Sequence, residues 1–158
     1  MKRIRISLWI LACVFTLLPV AALAADAGAK ATDAAWMKAM KANDIDAVVA
    51  CYAPDAVLWL PEAPEARGPK AIRDVYAGYF TTYTVSDASL PNATYQDSGD
   101  LSATWGNFTL TLQPKKGGDP VVLKGRFLAV AKRIGGTWLY VADHASATPE
   151  PAAPAAAK

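Results

Sequence analysis

Apolar residues recur at helical spacing in the first half of this chain and at alternate positions in the second. From Thr32, read as an N-cap, Ala35, Trp36, Ala39 and Met40 form a helical stripe that runs to Asn43. Asp44 can cap a second helix, in which Ile45, Val48, Val49 and Tyr52 follow the same period until Pro54 ends it. Ala56 to Leu60 reads as a short strand closed by Pro61, and the Pro- and Glu-rich run after it as a loop. Pro69 suits the first turn of a third helix, carried by Ile72, Val75, Tyr76 and Tyr79.

After Thr81 the period drops to two. The pattern predicts strands at 83–89, 93–97, 101–113, 120–133 and 137–146, separated by turn residues. Helices first and antiparallel strands after describe an α+β domain rather than alternating βαβ units. Gly135-Gly136 is a strong two-residue hairpin signal. A regular hairpin there sets Arg133 opposite Trp138 and Leu128 opposite Asp143. One face then carries Leu128, Val130, Leu139 and Val141, with Arg126 diagonal to Asp143. The other carries Phe127, Ala129, Ala131, Trp138, Tyr140, Ala142 and His144. Both faces are largely apolar, so both are expected to be covered: one by the helices, the other by a second subunit. A bulge would shift the register by one residue and exchange the faces.

The two ends read differently. Residues 1–24 have a basic start, an apolar run from Leu8 to Leu18, Pro19, and the small-residue pattern Ala22-Leu23-Ala24. This is the layout of a secretory signal peptide cleaved after Ala24, and it implies a periplasmic or secreted protein. Residues 25–30 form a short leader, 31–147 the folded domain, and 148–158 a Pro/Ala-rich tail without large apolar side chains.

Charge changes the picture only after the signal is set aside. The 158 residues hold 16 Lys and Arg against 14 Asp and Glu. Lys2, Arg3 and Arg5 belong to the signal, and without them the balance is 13 to 14. That removes the main electrostatic argument for nucleic acid, and no membrane contact is expected after cleavage. Cys13 leaves with the signal, so Cys51, inside an apolar stretch, is expected to be a packed core thiol. No G-x-S-x-G, P-loop or dinucleotide fingerprint occurs, no clustered His/Cys pattern suggests a metal, and no cofactor is expected.

Two stretches carry a family likeness. The first runs from Asn43-Asp44-Ile45-Asp46-Ala47 through Tyr52-Ala53-Pro54-Asp55-Ala56-Val57 to Pro61, Gly68 and Ala71-Ile72-Arg73. The second runs from Gly125-Arg126-Phe127 through Gly136-Thr137-Trp138 to Asp143-His144-Ala145-Ser146. Their order and spacing resemble the nuclear-transport-factor-2-like (NTF2-like) superfamily, in its SnoaL-like and DUF4440 groups. The resemblance implies a cone-shaped NTF2-like/cystatin-like fold, with N-terminal helices packed on a curved antiparallel sheet. It also tells against the ketosteroid isomerase route, which needs a carboxylate base, a tyrosine and a protonated acid. On the shared motifs those positions fall on Leu60, Trp36 and on or near Leu128, none of which is titratable.

Asp143 is the one acidic candidate for the pocket. It is either a general base or ligand acceptor at the pocket mouth, or half of an ion pair with Arg126 that would lower its pKa. Trp36, Tyr52, Leu60, Tyr79, Trp105, Arg126 and Leu128 are the other expected ligand contacts, an apolar wall with a few polar tips. Phe127, Trp138, Tyr140 and His144 are expected at the subunit contact of a homodimer. His144, the only histidine, points away from its neighbour Asp143. The leading expectation is an exported protein that binds a small, largely apolar molecule. The alternatives are a metal-independent isomerase, cyclase or dehydratase with Asp143 as base, and an assembly module without ligand.

Overall fold

The computed structural model describes residues 28–61 and 63–148. The expected signal peptide, residues 25–27, Glu62 and all of the expected tail but Thr148 lie outside them. Three helices, α1 (Ala29–Ala42), α2 (Ile45–Val49) and α3 (Gly68–Thr82), pack on one curved seven-stranded sheet. Its strands are β1 (Tyr52–Trp59), β2 (Ala66–Arg67), β3 (Tyr83–Ser89), β4 (Thr94–Ser98), β5 (Leu101–Pro114), β6 (Val121–Ile134) and β7 (Thr137–Ala147). The order is β2-β1-β7-β6-β5-β3, with β4 on the other half of β5. The α+β class holds, but the sheet is mixed, because β1 lies parallel to β7.

Local chemistry explains most boundaries. Asp44 accepts a hydrogen bond from Ala47 N at 3.0 Å, the expected cap of α2. Pro69 sits in the first turn of α3, where its missing N–H costs nothing. Asn43 ends α1 in the left-handed region, and its amide bonds both Val85 N and Val85 O, which docks α1 on β3.

Three expectations at the N-terminal end need correction. Helix α1 starts at Ala29, taking in two residues of the expected leader. Thr32 is therefore no cap but a buried residue of the first turn, and its hydroxyl donates to Trp138 O at 3.0 Å. Tyr52 is not the last residue of α2 but the first of β1. Pro54 does not break the strand because it falls in a wide bulge: Tyr52 pairs with Tyr140, and the next pair is Val57 with Ala142. The Glu-rich loop also contains the two-residue strand β2.

The β6–β7 hairpin decides the site. Gly135 and Gly136 both have positive φ, 58° and 84°, as a two-residue turn with matched twist requires. Pairing is regular from Ile134↔Thr137 to Ala131↔Tyr140. The next pair is Val130↔Ala142, so Val141 is an extra residue. From there to the end of β7 every side chain lies on the face opposite to the one a regular hairpin would give. Asp143 pairs with Ala129, not Leu128, and Leu128 pairs with His144.

The core fills the space between helices and sheet. Met40, Leu58, Ile72, Val48 and Val85 are its largest fully buried apolar side chains. Cys51 is the expected packed thiol: it is buried, its Sγ lies 3.4 Å from Ala47 O, and burial pushes its pKa up to about 11. Among the described residues no helix is long and apolar enough to cross a membrane.

Candidate functional site

Between the helices and the sheet lies a cavity of about 310 Å³, at the small end of the range for ligand sites. Helix α1 contributes Trp36 and Met40, one turn apart on its apolar stripe. Helix α3 contributes Tyr76 and Tyr79, and Leu60 and Pro61 close the side next to β1. The sheet supplies the floor: Phe108 and Leu110 from β5, Phe127 and Ala129 from β6, and Tyr140, Asp143 and Ala145 from β7. Tyr140 and Asp143 are three residues apart, so a regular strand would send them to opposite faces. The extra residue Val141 puts both into the cavity. Gly125 pairs with Phe108 on this floor, and any Cβ there would meet the Phe108 ring and Ser146 O. Its lack of a side chain lets that ring lie flat.

Two hydrogen-bonded arrays back this wall. In the first, Tyr52 Oη donates to Asp143 Oδ2 at 2.7 Å, Tyr52 and Tyr76 hydroxyls are 2.7 Å apart, and Trp36 Nε1 donates to Tyr76 Oη at 3.0 Å. An ionised carboxylate only accepts, so the single Tyr52 proton is committed to Asp143. Tyr76 must then donate to Tyr52. The protons therefore run in one direction, from the Trp36 indole through two phenols to the carboxylate. In the second array, Tyr140 Oη donates to Asp33 Oδ1 at 2.5 Å, and Thr104 Oγ1 donates to Asp33 Oδ2 at 3.1 Å.

Burial sets the electrostatics. It pushes the Asp143 pKa from the ordinary 3.8 up to about 6; the hydrogen bond from Tyr52 opposes that rise, and the charge of Asp33 adds to it. Asp33 is also raised by burial, against the hydrogen bonds from Tyr140, Thr104 and Tyr95. Burial and the nearby carboxylates drive Tyr52, Tyr76 and Tyr140 well above the ordinary phenol range, so all three stay protonated. Among the described residues Tyr52 is the only hydrogen-bond partner of Asp143, which leaves Oδ1 uncommitted at the cavity.

The structure gathers only part of the expected ligand set. Trp36, Leu60, Tyr79 and Asp143 line the cavity, and Tyr52 stands directly behind Asp143. Trp105, Arg126 and Leu128 do not: they are exposed on the outer face of the sheet, Trp105 at 41% and Leu128 at 49%. The bulge is the reason, since it reverses β7 while β6 keeps its alternation. Arg126 pairs with Asn107 and Ser146 and makes no ion pair with Asp143, whose pKa is accordingly raised rather than lowered. The expected subunit contact is corrected in the same way. Phe127 and Tyr140 face the cavity, Tyr140 being only 3% exposed, and Trp138 packs partly buried against the core. Only His144 is on the outer face as expected.

Asp33 is the functional candidate that sequence reading misses. It lies three residues before Trp36 and seven before Met40, on the buried stripe of α1, and is fully buried. Trp59 and Leu60 point to opposite sides: the Trp59 indole donates to Glu65 Oε2, and Glu65 pairs with the exposed Arg67 of β2. Among the described residues no group of three or more His, Cys, Asp or Glu side chains could hold a metal.

Helices packed on a curved mixed sheet around a small, aromatic-walled, carboxylate-bearing cavity define the class: an α+β fold with an internal cavity. The chain belongs to the SnoaL-like domain family, whose model matches residues 34–141. No curated protein sequence matches it. Among solved structures it is similar to a protein from Xanthomonas campestris named for the calcium/calmodulin-dependent protein kinase II association domain. That match has 24% identity, TM-score 0.69 and covers 78% of this chain and 87% of that one. It is also similar to a ketosteroid isomerase-like protein from Erwinia carotovora atroseptica, at 24% identity and TM-score 0.66, over 77% of this chain and 94% of that one. A nuclear transport factor 2-like superfamily protein from Salmonella enterica serovar Typhimurium matches at 16% identity and TM-score 0.66, over 80% and 92%. Likeness at these identities establishes the fold alone.

Proposed function

We propose that this is an exported protein that binds a small, mostly apolar molecule in the cone, with Asp143 as the polar contact. The observation that carries the reading is the Asp143 carboxylate: it lines a largely aromatic and aliphatic cavity with Oδ2 held by Tyr52 and Oδ1 without a hydrogen bond to the described residues. A buried charge without a paired cation is costly, and a ligand donor would relieve that cost. Export rests on the N-terminal pattern of residues 1–24. Native mass spectrometry of the protein purified from its own host tests the reading. A defined extra mass that Asp143→Asn loses supports it, and an identical complement on both proteins removes Asp143 from the site.

A second reading, proton-transfer chemistry with Asp143 as general base, is favoured by its pKa of about 6, close to where a base works at neutral pH. Tyr79 would be the donor to a developing oxyanion. The hydroxyls of Tyr52, Tyr76 and Tyr140 are committed, whereas that of Tyr79 makes no hydrogen bond to the described residues. Turnover lost in Asp143→Asn and reduced at least tenfold in Tyr79→Phe would select this reading over simple binding.

We also propose that a second copy of the chain covers the outer face of the sheet. Trp59, His144, Leu128 and Trp105 are successive cross-strand partners there, a row across four strands in which Trp59, Leu128 and Trp105 are each more than a third exposed. Leu128→Glu, read by light scattering, tests this contact.

A further inference from the structure

We infer that the ligand of this cavity carries a protonated amine, its nitrogen against Asp143 and its carbon body against the aromatic walls. This inference rests on the proposal that the cavity is a binding site, and it names the chemical class that the site selects.

Four observations carry it. First, among the described residues no Lys, Arg or His side chain lines the cavity, so none of them neutralises Asp143. The adjacent cations of β6, Lys124 and Arg126, are on the exposed outer face. Second, a further carboxylate sits just behind the wall. Asp33 is held by Tyr140, Thr104 and Tyr95, none of them cationic, so its charge adds to the negative field of the lumen. Third, the wall has spent its donors. The Tyr140 proton points at Asp33, and the Tyr76 and Tyr52 protons run to Asp143. A ligand that accepts hydrogen bonds finds only Tyr79, while one that donates finds the free Asp143 oxygen. Fourth, Trp36, Tyr76, Tyr79, Phe108, Phe127 and Tyr140 present aromatic rings, whose negative faces attract a cation and whose area covers an apolar body. An anionic ligand meets two carboxylates and no counter-charge. A neutral alcohol satisfies one hydrogen bond but leaves the charge uncompensated.

The size follows from the volume. At about 310 Å³ the cavity is at the small end of the range for ligand sites, so the ligand is small. An arylalkylammonium ion of that size fits.

The test is a ladder of three near-isosteric probes titrated by calorimetry into the protein purified from its own host: 2-phenylethylamine, 2-phenylethanol and 3-phenylpropionate. At pH 7.5 the amine is expected to bind at least tenfold tighter than the alcohol, and the carboxylate weakest of the three. Between pH 7.5 and 5 the amine affinity is expected to fall about tenfold as Asp143 takes up its proton, while the alcohol affinity stays nearly flat. The other groups that face Asp143 do not reverse that sign. Tyr52 on β1, Tyr76 on α3 and Tyr140 on β7 stay protonated, and protonation of Asp33 on α1 would weaken cation binding in the same direction. Asp143→Asn should bring amine and alcohol within threefold of each other. The wild-type ladder and its pH dependence decide the matter even if that variant does not fold. An alcohol that binds as tightly as the amine, or a carboxylate that binds tightest, overturns the ammonium inference and leaves the cavity reading standing. Failure of all three probes to bind at millimolar concentration overturns both.

Discussion

The two faces of the sheet are built from the same strands and share a similar apolar content, yet they have opposite fates. On the inner face Phe127, Ala129, Tyr140 and Asp143 line the cavity beneath the helices. On the outer face Leu128, Trp105 and Trp59 stand 49%, 41% and 39% exposed beside His144. Composition cannot tell these faces apart. What separates them is one extra residue, Val141, which turns the second half of β7 over so that Asp143 joins Tyr140 inside and His144 goes outside. Chemistry on a sheet is thus assigned by register before it is assigned by residue type.

The comparison can be broken most severely at the bulge. Deleting Val141 forces residues on one side of it onto the wrong face, moving either Tyr140 out or Asp143 out and His144 in. A loss of about 4 kcal/mol or more, or no cooperative unfolding at all, is expected in thermal melts followed by circular dichroism. A deletion variant that melts like the parent would mean that the register is not held as described.

The next effect has the opposite sign. The pKa of Asp143 is raised on folding, so the native state binds more protons than the unfolded chain between about pH 4 and 6, and stability falls as pH rises through that window. The cost is fully present above pH 6 and amounts to about 3 kcal/mol for a shift of about two units. Asp143→Asn keeps an acceptor for Tyr52 and removes the charge. It should therefore raise the melting temperature at pH 8 and leave it nearly unchanged at pH 4, the stability being exchanged for ligand affinity.

Tyr52→Phe sharpens the contrast within the inner face. It removes the only hydrogen bond that favours ionised Asp143, so the carboxylate should titrate above 6 and stability at pH 8 should drop by about 1–2 kcal/mol. Carboxyl carbon shifts in NMR read the first effect and denaturant melts the second. An unmoved titration would detach Tyr52 from the site.

The smallest energetic effect is expected on the outer face. Leu128→Glu should change the stability of the subunit by less than about 0.5 kcal/mol, because the side chain is already half exposed. It should nonetheless turn a dimer into a monomer, with ligand affinity unchanged. Lost affinity would show that the two faces are coupled.

Much of this was legible in the chain, for local reasons. Asp44 capping α2, Pro69 starting α3, the Gly135-Gly136 turn and the bounds of β3 all follow from short-range chemistry that acts within a few residues. Asp143 as the cavity carboxylate was also within reach, because it is the one acid among apolar neighbours in the last strand. A regular hairpin places Leu128 and Arg126 with Asp143, and Phe127 and Tyr140 with His144 on the opposite face; the extra residue Val141 reverses both pairings of face and function. Asp33 stayed hidden because its burial depends on Tyr140, 107 residues away.

Propensity, capping and turn chemistry are written in neighbouring positions, and they sufficed for the three helices, for every strand but β2 and for the α+β class, though not for each boundary. The fold as a whole sets that β1 runs parallel to β7, that the strand turns over at Val141, and that Asp33 is buried against Tyr140 while Asp143, backed by Tyr52, reaches the cavity. Those outcomes depend on which surfaces meet across the fold, and a one-residue step in pairing is resolved by the packing of the whole inner face.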